Sequence, residues 1–495
     1  MTGGKLNGTQ QGGHRQQLAA IARRAMLSRG LAADFPAQVM KETADIKETP
    51  PAVSARFRDM GELPWCSIDN DTSEDLDQLT AARAQKDGSV KVFVAIADVD
   101  ATVSKNTAID GFAAVNTLSV YTPAIIFPML PEKLSTDLTS LKFGRERAAV
   151  IMEMTVAQTG EVTGGDVYQA LVKNKAKLAY NSTAAWLENS APAPKEVTSV
   201  NGLEENIRLQ AQTAKKMKWL RRKNGSLSLD TFEINPVFEG DEVKAIEAET
   251  HNMAKDIIED FMIGANGVAA RFLVSKNFPS IRRVVRTPKN WGRIVELAHA
   301  RGFLLPINPD AVPLETFLTE QKQKDPEHFQ DLSLSVIKLL GPGEYVMDLP
   351  GESAEGHFSL AVKDYTHSTA PNRRYSDLLT QRLLKAAIAG AAVPYKTDEL
   401  AAYALRCTQK EDDAKKVERQ LDKSVAALLL SSMIGMEFDS IVTGASDKGT
   451  WVRIMTPHAE GRLMSGEAGL KVGDGARVKL IRTDVENGYI DFTKI

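Results

Sequence analysis

The chain has 495 residues, of which 43 % are hydrophobic and 25 % charged, and this composition excludes a disordered or fibrous protein. Its 61 lysine and arginine residues nearly balance 64 aspartate and glutamate residues, so the net charge is −3. Nucleic acid held over the whole surface is therefore excluded, although a local basic groove could still bind a polyanion. At roughly 150 residues per domain, the length predicts about three domains.

Cysteine usage and hydropathy predict a protein of the reducing cytoplasm. Cys66 and Cys407 have no cysteine or histidine at metal-ligand spacing, so neither a disulfide framework nor a structural zinc site is expected. The N-terminal segment has no apolar core and does not resemble a signal peptide. The most apolar segment, residues 424–435, is too short to span a bilayer, so we expect no membrane association.

The chain begins with a segment rich in Gly, Gln and Asn, residues 1–14, which we expect to be disordered. Apolar residues then recur at helical spacing from Leu18 to Ala25, and Gly30 ends this predicted helix. Further helical pattern extends to about residue 47. The two segments form either a helix-turn-helix, which would suit a DNA-directed regulator, or a pair of docking helices. The adjacent prolines at positions 50–51 mark the end of this unit.

The middle of the chain mixes strands with long helices. Two β-branched, apolar runs at 91–99 and 148–155 predict strands. Long helices are predicted over 204–223, 250–275, 373–390 and 399–434. The first of these helices has a basic cluster, which is typical either of a solvated face or of a surface that meets phosphates. The cluster consists of Lys215, Lys216, Lys218, Arg221, Arg222 and Lys223.

The C-terminal segment, residues 436–495, differs in character from the rest of the chain. Short strands, for example 450–455 and 476–484, alternate with turns that are rich in glycine. This spacing over about sixty residues predicts a small five-stranded β-barrel.

An acidic segment, SIDNDTSEDLDQL at residues 67–79, is the most informative local feature. Its carboxylates are Asp69, Asp71, Glu74, Asp75 and Asp77. Carboxylates this close repel one another unless cations neutralise them, and oxygen ligands suit hard ions such as Mg²⁺. Three of them could hold two Mg²⁺ ions about 4 Å apart, an arrangement that hydrolyses phosphodiesters. A solvated acidic turn is the alternative, but the apolar residues that flank the segment favour a loop anchored in a core.

Competing motifs fail at defined positions. A calcium-binding loop that began at Asp69 would need glycine at its sixth position, which is Glu74. GASDKGT (444–450) lacks the lysine that follows the second glycine of a phosphate-binding loop. GDGARV (473–478) lacks the third glycine of a dinucleotide-binding turn, so no dinucleotide cofactor is expected. The G-x-S-x-G motif of serine hydrolases does not occur.

Six ordered blocks carry a resemblance to a known family. They are SIDNDTSEDLDQL, VFVAIADV, PMLPEKLSTDLTSL (128–141), KAKLAY (175–180), MIGAN (262–266) and HFSLAVKDYTHSTAPNRRYSDLLTQRLL (357–384). Together they resemble the RNB catalytic domain of ribonuclease II and ribonuclease R over roughly residues 52–430, and the C-terminal barrel is similar to that family's OB-fold RNA-binding domain. The resemblance implies an α+β fold: a small helical module at 1–50, a mixed sheet-and-helix RNB domain at 51–434 and an OB-type barrel at 435–495.

The resemblance implies a processive 3′→5′ exoribonuclease that hydrolyses single-stranded RNA to nucleoside 5′-monophosphates with Mg²⁺, or with Mn²⁺ in its place. We expect a cytoplasmic monomer. The family's acidic quartet falls on Asp69, Asp75, Asp77 and Gln78, and Asp77 is the residue whose loss most directly stops cleavage. The fourth residue is normally an aspartate, and because Gln78 is uncharged, weaker metal binding is expected. An RNA-binding protein that has lost efficient catalysis is therefore the alternative.

The resemblance also implies roles for residues outside the acidic segment. Tyr180 corresponds to the tyrosine that stacks on the 3′-terminal base, with a packing role as the alternative. Arg373 corresponds to the arginine at the scissile phosphate, and Arg374 is expected to be structural or a second contact to the RNA backbone. Glu418 corresponds to a glutamate near the terminal nucleotide, with a salt bridge on a helix surface as the alternative. Trp451 is expected either to stack on RNA bases or to lie in the barrel core.

Overall fold

The computed structural model describes residues 13–47, 57–230, 234–248, 251–352, 355–446 and 449–495. The predicted proline boundary lies outside these residues, as does the predicted disordered start except for residues 13 and 14. The helices are α1 (His14–Ser28), α2 (Ala37–Asp45), α3 (Ala108–Asn116), α4 (Tyr180–Leu187), α5 (Lys195–Thr198), α6 (Leu203–Lys223), α7 (Met253–Ser275), α8 (Trp291–His299), α9 (Ala311–Lys324), α10 (Phe329–Leu340), α11 (Tyr375–Ala389) and α12 (Thr397–Leu430).

The strands fall into one large sheet, three two-stranded ribbons and one closed barrel. They are β1 (Arg58–Asp59), β2 (Cys66–Asp69), β3 (Gln78–Ala84), β4 (Val90–Ala97), β5 (Val120–Tyr121), β6 (Ile126–Phe127), β7 (Glu146–Val156), β8 (Val162–Lys173), β9 (Ala176–Ala179), β10 (Ile234–Glu239), β11 (Glu242–Ala248), β12 (Ser280–Val284), β13 (Glu344–Asp348), β14 (Glu437–Ser446), β15 (Gly449–Met455), β16 (His458–Leu463), β17 (Gly475–Asp484) and β18 (Tyr489–Lys494).

A seven-stranded mixed sheet with the order β1-β8-β7-β4-β3-β2-β9 forms the centre of the predicted catalytic domain, residues 51–434. The predicted strands 91–99 and 148–155 are confirmed as β4 and β7, which pair antiparallel in its middle. Strand β4 is buried along almost its whole length, as expected for a strand covered by other elements. Helix α6 packs on β3, and α7 packs on β4, β7 and β8. The sheet is therefore a rigid support for the loops at its ends.

The four long helices predicted from the sequence are confirmed as α6, α7, α11 and α12. Helix α12 has 34 residues, which corresponds to about 51 Å at 1.5 Å per residue. Leu400 packs in the core of the catalytic domain, Leu421 packs against α1, and Leu430 packs in the barrel core. One continuous helix thus connects three hydrophobic clusters, which fixes the barrel relative to the catalytic domain.

The N-terminal helices dock on the rest of the chain. The apolar side chains of α1, among them Leu18, Ile21 and Met26, are buried against α12. Arg24 of α1 donates hydrogen bonds of 2.8 and 2.6 Å to the two carboxylate oxygens of Glu486, in the barrel. Helix α2 packs on α3 instead. Of the two interpretations of this unit, the structure supports a pair of docking helices.

The C-terminal barrel is closed, with the strand order β14-β15-β16-β18-β17, and confirms the predicted five-stranded barrel. Val452, Ile454 and Phe492 belong to its core. The buried Arg453 forms an ion pair with Asp331 of α10, so the barrel is also held to the helices of the catalytic domain. Within the described part of the chain, the helices lack the combination of length and apolar character that crossing a membrane requires.

Gly160, in the turn between β7 and β8, generates a prediction about this packing. Its φ is +91°, and an added Cβ would overlap the backbone carbonyl of Lys216 in α6. Gly160→Ala should therefore lower the free energy of unfolding by about 2 kcal/mol or more, because the left-handed conformation and the contact are both unfavourable. Thermal unfolding measures the effect. Gly164→Ala is the matched control, since its Cβ would have nothing within 4 Å, and an equal loss in both variants would contradict the explanation.

Candidate active site

The acidic segment forms the connection between β2 and β3. Strand β2 ends at Asp69 and β3 begins at Gln78. Cys66 pairs with Thr80, so the two strands run antiparallel, and the end of β2 lies at the same edge of the sheet as the start of β3. The carboxylates at the two ends of the segment therefore lie at the same edge of the sheet.

Buried Ser140 anchors the acidic segment. Its hydroxyl donates a hydrogen bond of 2.7 Å to the carbonyl of Glu74 and accepts one of 3.0 Å from the N–H of Leu76. The N–H of Leu141 donates to the carbonyl of Leu76 at 2.9 Å. These bonds satisfy the backbone of a segment that contributes the buried Leu76 to the core. The segment is thus anchored rather than a solvated turn.

Asp77 is the buried carboxylate of the site, with 2 % of its surface exposed. One oxygen accepts the backbone N–H of Asn372 at 3.2 Å, and the other accepts Nε of Arg373 at 3.1 Å. Burial raises the pKa of Asp77 to about 7, although Arg373 lowers it, and neighbouring Asp75 raises it further. The negative charge of this carboxylate is incompletely compensated, and a cation beside it would stabilise the ionised form.

Arg373 combines a fixed position with free hydrogen-bond donors. Its Nε is bound by Asp77, yet 42 % of the side chain is exposed. Burial lowers the pKa of Arg373, but Asp77, together with Tyr121 and Asp377, raises this pKa by more, so the guanidinium stays charged. Among the residues that the structure describes, its two Nη groups have no hydrogen-bond partner. They are therefore available to bind an anion such as a phosphate.

Tyr121 belongs to the site, although the sequence analysis missed it. Its hydroxyl donates to Asp75 at 2.9 Å, and its backbone N–H donates to Glu418 at 3.2 Å. Burial raises the pKa of the Tyr121 phenol, even though 38 % of the residue is exposed. Tyr121 thus contacts Asp75 of the acidic segment while part of its surface stays open to solvent. The sequence offered one weak signal for Tyr121, namely an aromatic residue seven positions before the block 128–141.

Glu418 binds the backbone of Tyr121 rather than forming a surface salt bridge. Burial raises the pKa of Glu418, and the Tyr121 N–H lowers it. Within the described ranges the side chain forms no ion pair, and its hydrogen bond goes to the backbone of β5. Glu418 thus fixes the position of Tyr121 and, through it, of Asp75.

Tyr180 lies beside the acidic segment because of the sheet order. Strand β9 runs parallel to β2, and its last residue, Ala179, pairs with Asp69. Tyr180 follows directly as the first residue of α4 and is only partly buried. The Nζ of Lys255 lies 5.9 Å from the centre of its ring. An aromatic face therefore borders the carboxylates at this edge of the sheet.

Two predicted residues lie outside this cluster of contacts. Arg374 donates hydrogen bonds of 2.9 and 2.7 Å to Asp377. Of its two expected roles, this contact supports the structural one. Trp451 lies on β15, where the neighbouring Val452 and Ile454 form the barrel core. Trp451 itself is partly exposed and is not a member of that core, which leaves its ring accessible on the barrel surface.

The acidic quartet fits a hard divalent cation in its chemistry. Three carboxylates and one amide oxygen, from Asp69, Asp75, Asp77 and Gln78, match the oxygen ligands that Mg²⁺ and Mn²⁺ prefer. In the described part of the chain the three carboxylates do not converge within 4.8 Å of one another. Each is held by a separate protein donor instead. These donors offset the mutual repulsion of the carboxylates, and a bound cation would take over that role.

Comparisons with known proteins identify two domains in the chain. The RNB domain matches residues 57–390, and the RNase II-type exonuclease C-terminal S1 domain matches residues 436–495. Ribonuclease R of Vibrio cholerae is 28 % identical over 93 % of this chain and 59 % of its own length. Exoribonuclease 2 of Escherichia fergusonii is 30 % identical over 80 % of this chain and 61 % of its own length. The chain therefore spans about three fifths of the length of these relatives.

A solved structure has the same fold. Mycoplasma genitalium RNase R in complex with ribose methylated single-stranded RNA has a TM-score of 0.86 to this chain, with 23 % sequence identity. The match covers 97 % of this chain and 78 % of that protein. Since the RNB match also extends over more than half of the residues, the chain belongs to the RNB-domain family and has an RNase II-type S1 domain at its C-terminal end.

Proposed function

We propose that the chain is a divalent-metal-dependent 3′→5′ exoribonuclease that degrades single-stranded RNA processively to nucleoside 5′-monophosphates. One observation carries the proposal: the loop before α11 places the N–H of Asn372 and the guanidinium of Arg373 on the carboxylate of Asp77. Arg373 and Asp77 are 296 residues apart in the sequence. An acidic segment and a phosphate-binding arginine thereby form one centre.

The residues of this centre divide the work of phosphodiester hydrolysis. Asp69, Asp75, Asp77 and Gln78 would hold Mg²⁺ or Mn²⁺, which supplies an activated water and polarises the phosphate. The free Nη groups of Arg373 bind the scissile phosphate. As the water oxygen bonds to phosphorus and the P–O3′ bond breaks, additional negative charge develops, and the guanidinium stabilises it. Asp77 holds the guanidinium in place through Nε.

Tyr180 is the residue that we assign to the 3′-terminal base. Its partly exposed ring lies next to the strand that ends at Asp69. Stacking on an aromatic ring tolerates every base, which suits an enzyme that removes nucleotides regardless of sequence. A strand must insert its end to reach a carboxylate as deeply buried as Asp77, which favours a single-stranded substrate. The 2′-hydroxyl is the group by which such a site distinguishes RNA from DNA.

A second function is favoured by one residue, Gln78. With an amide in place of the fourth carboxylate, the centre has one negative charge fewer with which to attract a divalent ion. The chain would then bind single-stranded RNA but hydrolyse it slowly or not at all. This candidate differs from the first in its metal requirement and in its turnover, which the following two experiments measure.

Asp77→Asn should abolish hydrolysis, with a loss of about a thousandfold or more, because it removes a charged ligand and the partner of Arg373 together. Binding of single-stranded RNA should be retained. The assay follows a 5′-labelled RNA with Mg²⁺ and then with a chelator, together with the release of mononucleotides. Shortening of the RNA that persists in the chelator would contradict the proposed function.

Gln78→Asp should lower the Mg²⁺ concentration needed for half-maximal hydrolysis by roughly tenfold, because it restores one negative charge at the metal site. Gln78→Asn is the matched control, since its side chain has the length of aspartate without the charge. Titration of activity with Mg²⁺ measures the change. If wild type binds RNA without turnover and Gln78→Asp gains activity, the second function holds; equal titration curves for the two variants would remove Gln78 from the metal site.

A further inference from the structure

The structure divides the basic cluster of α6 into two groups. Lys218 forms an ion pair with Asp256 of α7. Arg221 binds the fully buried Asp260 at 2.6 Å and also reaches Glu259 at 3.3 Å. These two cations hold α6 against α7, and their charges are already compensated. These two residues are therefore structural, unlike the remaining four cations of the cluster.

The other group forms an exposed stripe along α6. Lys215, Lys216, Arg222 and Lys223 are exposed and have no ion-pair partner among the described residues. Trp219 lies between them with 59 % of its surface exposed, and the Nζ of Lys223 is 5.3 Å from the centre of the Trp219 indole ring. Residues three and four positions apart share one face of a helix. We call these five residues the α6 stripe.

The α6 stripe is held rigidly on the catalytic domain. Asn206 forms two hydrogen bonds with the backbone of Ala82, at 3.1 and 2.7 Å, and buried Gln210 accepts the hydroxyl of Thr80 at 2.7 Å. Both contacts attach α6 to β3. A rigid helix presents its cations and its ring at fixed spacing, which lowers the entropic cost of binding a ligand.

The position of α6 relates the stripe to the proposed substrate. Lys218 of α6 binds Asp256 in the first turn of α7, and the adjacent Lys255 lies 5.9 Å from the ring of Tyr180. One helix therefore separates α6 from the residue assigned to the 3′-terminal base. Packed helices lie about 8–10 Å apart, so α6 and α4 lie about 16–20 Å apart with α7 between them. Several nucleotides of an extended strand can bridge this distance.

Unpaired cations around an exposed aromatic ring match the chemistry of a single-stranded nucleic acid. Phosphates meet lysine and arginine, and a base stacks on the ring. A solvated helix face needs the charges but not the tryptophan. We propose that the α6 stripe is a second binding site for single-stranded RNA, which holds the strand upstream of the 3′ end. This inference rests on the proposed function, because it takes the same RNA as its ligand.

The test measures RNA binding by the full-length chain in an Asp77→Asn background. The ligands are single strands of about 30 and about 2 nucleotides, and the shorter one can fill only the site at the 3′ end. Replacing the four stripe cations by glutamine together should weaken binding of the longer RNA at least tenfold. It should also reduce the slope of log K against log salt by about 0.7 for each phosphate that the protein no longer neutralises. Binding of the shorter RNA should not change.

Trp219 is tested by two variants that differ in stacking. Trp219→Leu should weaken binding of the longer RNA about fivefold or more, the lower end of the contribution of one stacked base. Trp219→Phe retains an aromatic face and should keep most of the affinity. Equal affinities for the two variants would contradict stacking at this position, and hence the proposal.

The charge control replaces four exposed cations elsewhere by glutamine, namely Lys86, Lys289, Arg293 and Lys338. If this control weakens binding of the longer RNA as much as the stripe variant does, the effect is general and the proposal fails. Unchanged affinity in the stripe variant also overturns it and leaves the stripe to a protein partner or to solvent. A second assay separates the stripe proposal from the proposed function. It measures hydrolysis of the shorter RNA by wild type and by stripe variants that keep Asp77. If neither hydrolyses this RNA, the proposed function fails, while the binding results still decide the stripe proposal.

Discussion

Burial of the Asp77 carboxylate is the constraint on which the site depends. An isolated carboxylate at this depth would be unfavourable by several kcal/mol. The chain compensates it with one backbone N–H and one guanidinium, both from the loop that precedes α11. Those bonds hold the start of β3 next to that loop, and they leave the Nη groups of Arg373 open to solvent. The interactions that make the buried charge tolerable are thus the ones that assemble the centre.

A short segment between the two halves of the centre supports both of them. Thr139 donates a hydrogen bond of 2.6 Å to the side chain of Asn372, and neighbouring Ser140 holds the backbone at Glu74 and Leu76. One segment thus anchors the loop of the arginine and the loop of the carboxylates. The block 128–141 therefore has a structural role beside the acidic segment in this chain.

The sequence predicted those parts of the fold that local patterns encode. The strands β4 and β7, the helices α6, α7, α11 and α12 and the barrel all follow from apolar periodicity or glycine spacing within short windows. Local patterns could not predict the position of Tyr121, because its partner Glu418 is 297 residues away. They could not predict the docking of α1 on α12 either, because those helices are about 400 residues apart. The division of the basic cluster on α6 was equally hidden, since only the packing of α7 decides which cations are paired.

Gln78 would affect the proposed metal site without affecting the architecture. It is the first residue of β3 and pairs with Ile96 through the backbone, so the fold does not require a charge at this position. A fourth carboxylate would add repulsion to a centre in which Asp75 already raises the pKa of Asp77, and it would bind a cation more strongly in return. In the proposed metal site, the amide would give a less strained metal-free centre that responds more weakly to divalent ions. The proposed RNA contacts at Tyr180 and at the α6 stripe involve neither this residue nor the metal, so under the proposed function affinity for RNA and the rate of hydrolysis would vary independently.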